Sequence, residues 1–386
     1  MKSHMFRAGA ALTFSSAAFA QGPAFQTPGM PTMGGSLGQA TRFSNEFNPA
    51  FGVAIDLVGD YLDEDGGIDG WATTLRAGEI VANAWVDPKA WAYIVLTSEG
   101  EAPDLEEASV HYVGLDSNTT IRAGRFFVDF GKQMQAHVHD LRTLERPAVL
   151  RTLLGTEVKG DGFQVDHWWA TGDATAVRAS FGAFRSLFPE EEDAVVARET
   201  PERSSLGDLN FTARVTGFTD VGDSGVFQLG ASARMIPDYE AVDTGGGGSA
   251  TGLDDTVFGV DATYGWSDDT GLRKATFGGE YLVATGDRVD STLAPYGDTT
   301  SGYYVFGDYA WSRSDSAGVQ FSAVEVPEAG SPDLSELELY YTHWFSEYHR
   351  LRFVAAQIDA EVDPDATRFA VQYTVFLGSH QHGLNW

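Results

Sequence analysis

The feature that most constrains this chain is strict alternation. From Val257 to Trp266, Phe258, Val260, Ala262, Tyr264 and Trp266 fall at one parity, and Gly259, Asp261, Thr263 and Gly265 at the other. Near the end, Phe369, Val371, Tyr373, Val375 and Leu377 alternate with Arg368, Ala370, Gln372 and Thr374. The segments 274–283, 303–311 and 336–342 repeat the pattern, so each predicts a strand with one apolar and one wet face. A soluble sandwich could share that signature, and the connections separate the two architectures. About sixteen such strands begin near Phe51, Thr74, Trp91, Glu107, Thr120, Gly162, Thr175, Leu209, Gly225, Thr256, Leu272, Ser301, Gly318, Ser335, Arg350 and Thr367. Connections after even-numbered strands are tight, such as VDPK, TGDA and SDDT; those after odd-numbered strands are long and polar, such as 238–255 and 286–300. Short turns on one side and long loops on the other predict an all-β fold, a transmembrane antiparallel β-barrel of about sixteen strands.

Backbone satisfaction in lipid then requires closure, because an open sheet edge has no partner there. No run reaches the roughly 18 apolar residues that a spanning helix needs. Tryptophans cluster near the tight turns (Trp85, Trp91, Trp168, Trp169, Trp266, Trp311, Trp344), which predicts an interfacial aromatic girdle. Residues 1–20 read as an export signal with a basic start and an Ala18-Phe19-Ala20 cleavage pattern. Residues 21–48 read as a flexible periplasmic lead-in, 49–378 as the barrel and 379–386 as a C-terminal tail. With no cysteine, the fold depends on no disulfide. A formal charge of −30 argues against nucleic acid as a partner. The expected surroundings are outer-membrane lipid and lipopolysaccharide of a Gram-negative envelope.

The connection after the fifth strand, Asp129 to about Lys159, carries HVHDLRTLERP and reverses the local charge balance: residues 121–160 hold seven basic and four acidic side chains. Its apolar residues Leu141, Leu144, Val149, Leu150, Leu153 and Leu154 cannot stay extended in water, so the loop is expected to fold inward and narrow the lumen. Arg122, Arg125, Lys132, His137, His139, Asp140, Arg142, Arg146 and Arg151 are then the candidate constriction residues. The wet faces of other strands contribute an acidic wall of Asp261, Glu280, Asp308, Glu336 and Glu338. Opposed sectors of unlike sign give a transverse field.

The block Arg122 to Trp169, with GRFFVDFG, HxHDL, the Arg146-Pro147 step and GDGFQV, resembles porin-type outer-membrane proteins related to the phosphate-selective porin family. So does the ending TVFLGSHQHGLNW. The resemblance implies a sixteen-stranded diffusion channel, often a homotrimer, passing small hydrophilic solutes or anions. A dense lysine and arginine ladder is not visible in the sequence, a departure from phosphate selectivity. His137, His139 and Asp140 could serve a transition metal, but a single H-x-H-D lacks fixed further ligands, and the reading favoured is histidines hydrogen-bonded inside a folded loop. No cofactor, no metal and no catalytic residue are assigned, because no nucleophile elbow such as G-x-S-x-G occurs. The alternatives to a channel are a scaffold or adhesin-like barrel with a plugged lumen, and a metal-binding or hydrolytic barrel.

Overall fold

The computed structural model describes residues 49–378 except 68, 101, 116–117, 189–195, 202–204, 246, 290–292, 328–331 and 362–363. The expected signal, lead-in and tail, and the acidic stretch Pro189 to Asp193, therefore lie outside the described residues. In chain order the elements are β1 (Ala50–Glu64), β2 (Gly70–Asp87), β3 (Ala90–Thr97), β4 (Asp104–Tyr112), β5 (Thr119–Phe127), a short helix α1 (Ala148–Leu153), β6 (Lys159–Ala170), β7 (Thr175–Phe184) and β8 (Val196–Glu199). Then come β9 (Asn210–Val221), β10 (Gly225–Asp243), β11 (Ser249–Ser267), β12 (Lys274–Val289), β13 (Pro295–Ala310), β14 (Asp315–Glu325), β15 (Asp333–Ser346), β16 (His349–Ala360) and β17 (Ala366–Gly378).

All strands except the short β8 pair antiparallel with their neighbours around a ring, and β17 pairs back onto β1 from Gly52↔Gly378 to Glu64↔Ala366. The sixteen wall strands are those the alternation predicts, and among the described residues closure leaves none of them at an open edge. β8 is an addition: it lies in the connection between β7 and β9 and pairs with the far end of β10, Glu240↔Glu199 to Asp243↔Val196. Parity sets the two surfaces. Phe258, Val260, Phe277, Leu339, Phe353, Phe369 and Leu377 are exposed on the outer face, while Asp261, Glu280, Glu338, Arg352 and Gln372 are buried inside. An apolar outside and a polar inside is the sign of a barrel standing in a membrane, and with this architecture the membrane is an outer membrane.

The wall is uneven. β3, β4 and β5 have only 8, 9 and 9 residues, whereas β10 and β11 have 19 each. Two stretches expected as loops, 238–255 and 286–300, are mostly strand, because β10 runs to Asp243, β11 starts at Ser249, β12 runs to Val289 and β13 starts at Pro295. Their glycine- and aspartate-rich composition hides a continuing alternation in which Tyr239, Ala241 and Leu253 are buried inside against the core that contains α1.

The tryptophan girdle also needs correction. Trp169 and Trp311 are exposed on the outer face, but Trp91 and Trp344 are buried within the barrel, and Trp168 stacks on Phe218 at 5.3 Å. Neighbouring strand residues point to opposite sides, so Trp168 and Trp169 cannot both face lipid. The tight-turn end therefore carries aromatics on both faces, the inner set including Trp91 stacked on Tyr93 at 5.0 Å and Trp344 on Phe376 at 6.5 Å.

Candidate functional site: the inward loop and its seat

The loop between β5 and β6 turns into the barrel at once. Asp129 is buried against Arg178 at 2.7 Å and Arg214 at 3.7 Å and accepts a hydrogen bond from Ser180 Oγ at 2.5 Å. Burial opposes its charge, but the two guanidinium groups hold the carboxyl below its usual range. Gly131 has φ +56°, and a Cβ there would stand 2.1 Å from Glu280 Oε2, so a side chain at this position is strained and glycine is favoured. Its N–H reaches Ser232 Oγ at 3.0 Å, the Lys132 N–H donates to Glu280, and Lys132 Nζ donates to Gln228 Oε1 at 2.7 Å.

The loop then crosses the lumen. A 3-10 turn at Val138–Asp140 is capped by the far wall: Arg76 donates to the carbonyls of Val138 (3.1 Å) and Leu144, Arg350 to that of His139, and Arg352 to that of Thr143 at 2.8 Å. Leu144 N donates to Glu338 Oε1 at 2.9 Å. Past Pro147, α1 packs on β13 and β14, with Val149 N on Ser322 Oγ at 3.0 Å, and Arg234 donates to the carbonyls of Leu153 and Leu154 at 3.4 and 3.2 Å. Leu141, Leu144, Val149, Leu150, Leu153 and Leu154 are all buried, each stabilising the docked loop by about 2 kcal/mol relative to water. Wall strands on every side of the ring thus hold this one segment.

Two charged groupings result. The first is a half-exposed chain of alternating sign: Asp60 and Arg368 at 2.8 Å, Arg368 and Glu145 at 2.6 Å, Glu145 and Arg151 at 3.3 Å, Arg151 and Glu336 at 2.5 Å. Burial would raise the carboxyl of Glu145, yet Arg151 and Arg368 hold it below its ordinary value.

The second grouping is buried under the loop, against β2 and β4. His137 Nδ1 lies 3.4 Å from Glu79 Oε2 and 3.3 Å from Glu106 Oε1, and its Nε2 lies 3.0 Å from Glu107 Oε1. His139 Nδ1 is 2.9 Å from Glu79 Oε1, and its Nε2 is 3.6 Å from Asp140 Oδ2. Glu107 also accepts from Tyr93 Oη at 2.6 Å and Arg122 Nη2 at 2.8 Å. Successive residues Glu106 and Glu107 both reach inward because β4 bulges there: Val95 pairs with Glu107 and Leu96 with Leu105, leaving Glu106 out of the ladder. A second bulge on β2 does the same for Arg76, since Asp56 pairs with Ala77 and Leu57 with Leu75. Burial disfavours charge on both imidazoles, but Glu106 and Glu79 hold His137 well above the ordinary histidine range, and Glu79 and Asp140 hold His139 above it.

The structure distributes the sequence candidates unevenly. Asp140, Arg142 and Arg151 keep partial exposure, Arg142 lying 4.4 Å over the Phe306 ring. Lys132 sits among Arg142, Arg214, Asp261 and Glu280, and burial with the two guanidinium groups brings its ammonium down to about 7, so it carries only part of its charge at neutral pH. Arg122 is buried on Glu107 with its guanidinium 4.0 Å over Phe126, and Arg146 is buried, donating to the Ala136 carbonyl. Arg125 does not face the lumen: strand parity puts it on the outer face, paired with Asp161 at 2.8 Å. Of the acidic wall, Asp261 pairs with Arg214 at 2.7 Å, Glu280 and Glu338 anchor loop N–H groups, Glu336 binds Arg151, and Asp308 shares the inner parity of Tyr304 and Phe306.

Reasoning from sequence missed Arg76, Arg350 and Arg352 as loop anchors and Glu79, Glu106 and Glu107 as the seat of the histidines. The i, i+2 spacing of Arg350 and Arg352 on one strand face was a usable signal; the bulges that aim Arg76 and Glu106 inward leave none.

No protein-family model and no curated relative matches the chain by sequence. Solved structures match it along most of its length. In vitro folded OmpT, an outer-membrane protein of Vibrio cholerae, aligns with TM-score 0.56 and 14% identity over 88% of this chain and 100% of its own. The outer-membrane channel DcaP of Acinetobacter baumannii gives 0.56 and 12% over 87% and 99%. An anion-selective porin from Comamonas acidovorans gives 0.57 and 11% over 86% and 99%. At such identities the likeness is one of architecture, and the chain has the sixteen-stranded fold of the outer-membrane porins.

Proposed function

We propose that the protein is a porin: a passive outer-membrane channel for small hydrophilic solutes, whose passage is narrowed by the inward loop and runs past the half-exposed chain Asp60, Arg368, Glu145, Arg151 and Glu336. The observation that carries this reading is a closed barrel with an apolar exterior, a charged interior and a loop docked inside by polar contacts. The alternating chain of three acids and two arginines favours weak charge selection with orientation of dipolar solutes. Most lumen arginines are spent on wall acids and loop carbonyls, which supports modest anion preference at most. The proposal includes no catalytic step. We place neighbouring copies of the chain, in a homotrimer, against β3 to β5, whose 8 or 9 residues barely match the roughly 9–11 a strand needs to cross a bilayer.

A plugged barrel is the competing reading, favoured by loop anchors on wall strands all around the ring. Planar bilayer recording separates them. The channel gives discrete steps, with reversal potentials near zero in symmetric-mobility salts and a shift toward cations in Arg151→Glu that grows as salt falls. Protein that is folded by heat-modifiability yet gives no steps would establish the plug.

A further inference from the structure

We propose that Glu79, His137, His139 and Glu106 form a buried site for a divalent transition ion, best suited to zinc, which pins the inward loop to the wall. The ligand atoms of Glu79, His137 and His139 lie within 4.8 Å of one another, and all three side chains are buried; Glu106 stands beside this trio, 3.3 Å from His137, and would complete the set by a small side-chain rotation. Donors about 2.0–2.1 Å from a tetrahedral zinc stand roughly 3.3 Å apart. The separations from His137 Nδ1 to Glu79 Oε2 and Glu106 Oε1, 3.4 and 3.3 Å, match that edge. Two imidazole nitrogens and two carboxylates form the mixed N and O set that zinc takes, and the absence of soft donors among them disfavours copper(I).

Three further observations point the same way. Both histidines present Nδ1 to the cluster and turn Nε2 to another carboxylate, His137 to Glu107 at 3.0 Å and His139 toward Asp140 at 3.6 Å. A carboxylate hydrogen-bonded to the outer nitrogen fixes and polarises a metal-bound imidazole, and Glu107 does this for His137, while Asp140 stands near His139 at ion-pair distance. Glu106 is brought in by the bulge in β4, and its Oε2 is buried without a hydrogen bond, a costly arrangement unless a ligand completes it. His137 and His139 are also two apart, one on each side of the first residue of the 3-10 turn, so the loop itself preorganises both nitrogens. The site ties a loop segment to β2 and β4 and does not depend on whether the barrel conducts.

The test uses the full barrel extracted from outer membranes, stripped with a chelator, re-equilibrated with zinc alone and passed through gel filtration. Expected are about one zinc per chain and an X-ray absorption spectrum with two imidazole and two oxygen neighbours. Glu79→Gln and His139→Gln should lose the zinc, and Glu107→Gln should bind it about 10–100-fold more weakly. His343→Gln, which changes a half-exposed histidine paired with Asp315, should retain it. Should the cluster variants fail to fold, the wild-type absorption spectrum decides alone. Folded wild type without zinc would overturn the proposal and leave an ion-pair clamp; so would zinc that persists in Glu79→Gln and His139→Gln, or a spectrum lacking imidazole.

Discussion

Arg352 shows what single residues do in this interior. Buried on the wet face of β16, it donates to the Thr143 carbonyl at 2.8 Å and to Gln372 Oε1 at 3.0 Å. Hydrogen bonds from charged groups are worth about 1.5–3 kcal/mol each, and their loss also strands a buried carbonyl. Arg352→Ala should therefore lower the melting temperature of the detergent-solubilised barrel and make the loop segment cleavable by trypsin at Arg142 or Arg151. An unchanged melting curve and digest would show that the guanidinium bears no load. Glu145 contributes one pH dependence to the loop. Its folded carboxyl titrates below its unfolded value, so its stabilisation is complete above the ordinary range near 4.5 and is lost as pH falls through the lowered value. The loop's hydrogen-exchange protection factors should stay high at pH 5 and fall only in stronger acid, while Glu145→Gln should already show low protection at pH 5. Identical acid profiles for the two proteins would assign the transition elsewhere.

At the level of elements, the loop depends on a turn that disfavours any side chain. A valine at Gly131 meets both the left-handed backbone and the Glu280 carboxylate, and Gly131→Val should leave the barrel heat-modifiable while exposing the loop to trypsin. A protected loop in that variant would mean the entry can re-route. The strands themselves were legible in the sequence because period-two alternation and the rhythm of tight and long connections are local signals. The inward course of the loop was legible too, through six apolar residues that needed shelter. The seat of the histidines was not: Glu106 and Glu107, read by parity, should face opposite sides, and only the bulge makes both point inward. Arg125 failed in the reverse sense, because charge suggested the lumen and parity, which was available, put it outside with Asp161. The tryptophans erred likewise, since position along a strand fixes depth and parity fixes the face, and both are needed to place a girdle.

Across the whole molecule, the inner charges are arranged as links between distant parts of the chain. The strip from Asp60 to Glu336 joins β1, β17, the loop and β15, so its effect on permeation should be collective. Raising salt should weaken the selectivity shift of Arg151→Glu by screening while leaving single-channel step size proportional to bulk conductivity. A salt-independent shift would point to a change in loop position. The anchors at Val138, His139, Thr143, Leu144 and Glu145 come from β2, β16 and β17, on either side of the line where the last strand meets the first. The loop is in that sense an internal stitch across the seam. Its anchors on the two flanks come together only when β17 meets β1, so sealing the cylinder and seating the loop should be one cooperative event during insertion. Weakening the stitch should then be felt first as slow or incomplete assembly in pulse-chase insertion assays, before any leak through finished barrels can be measured.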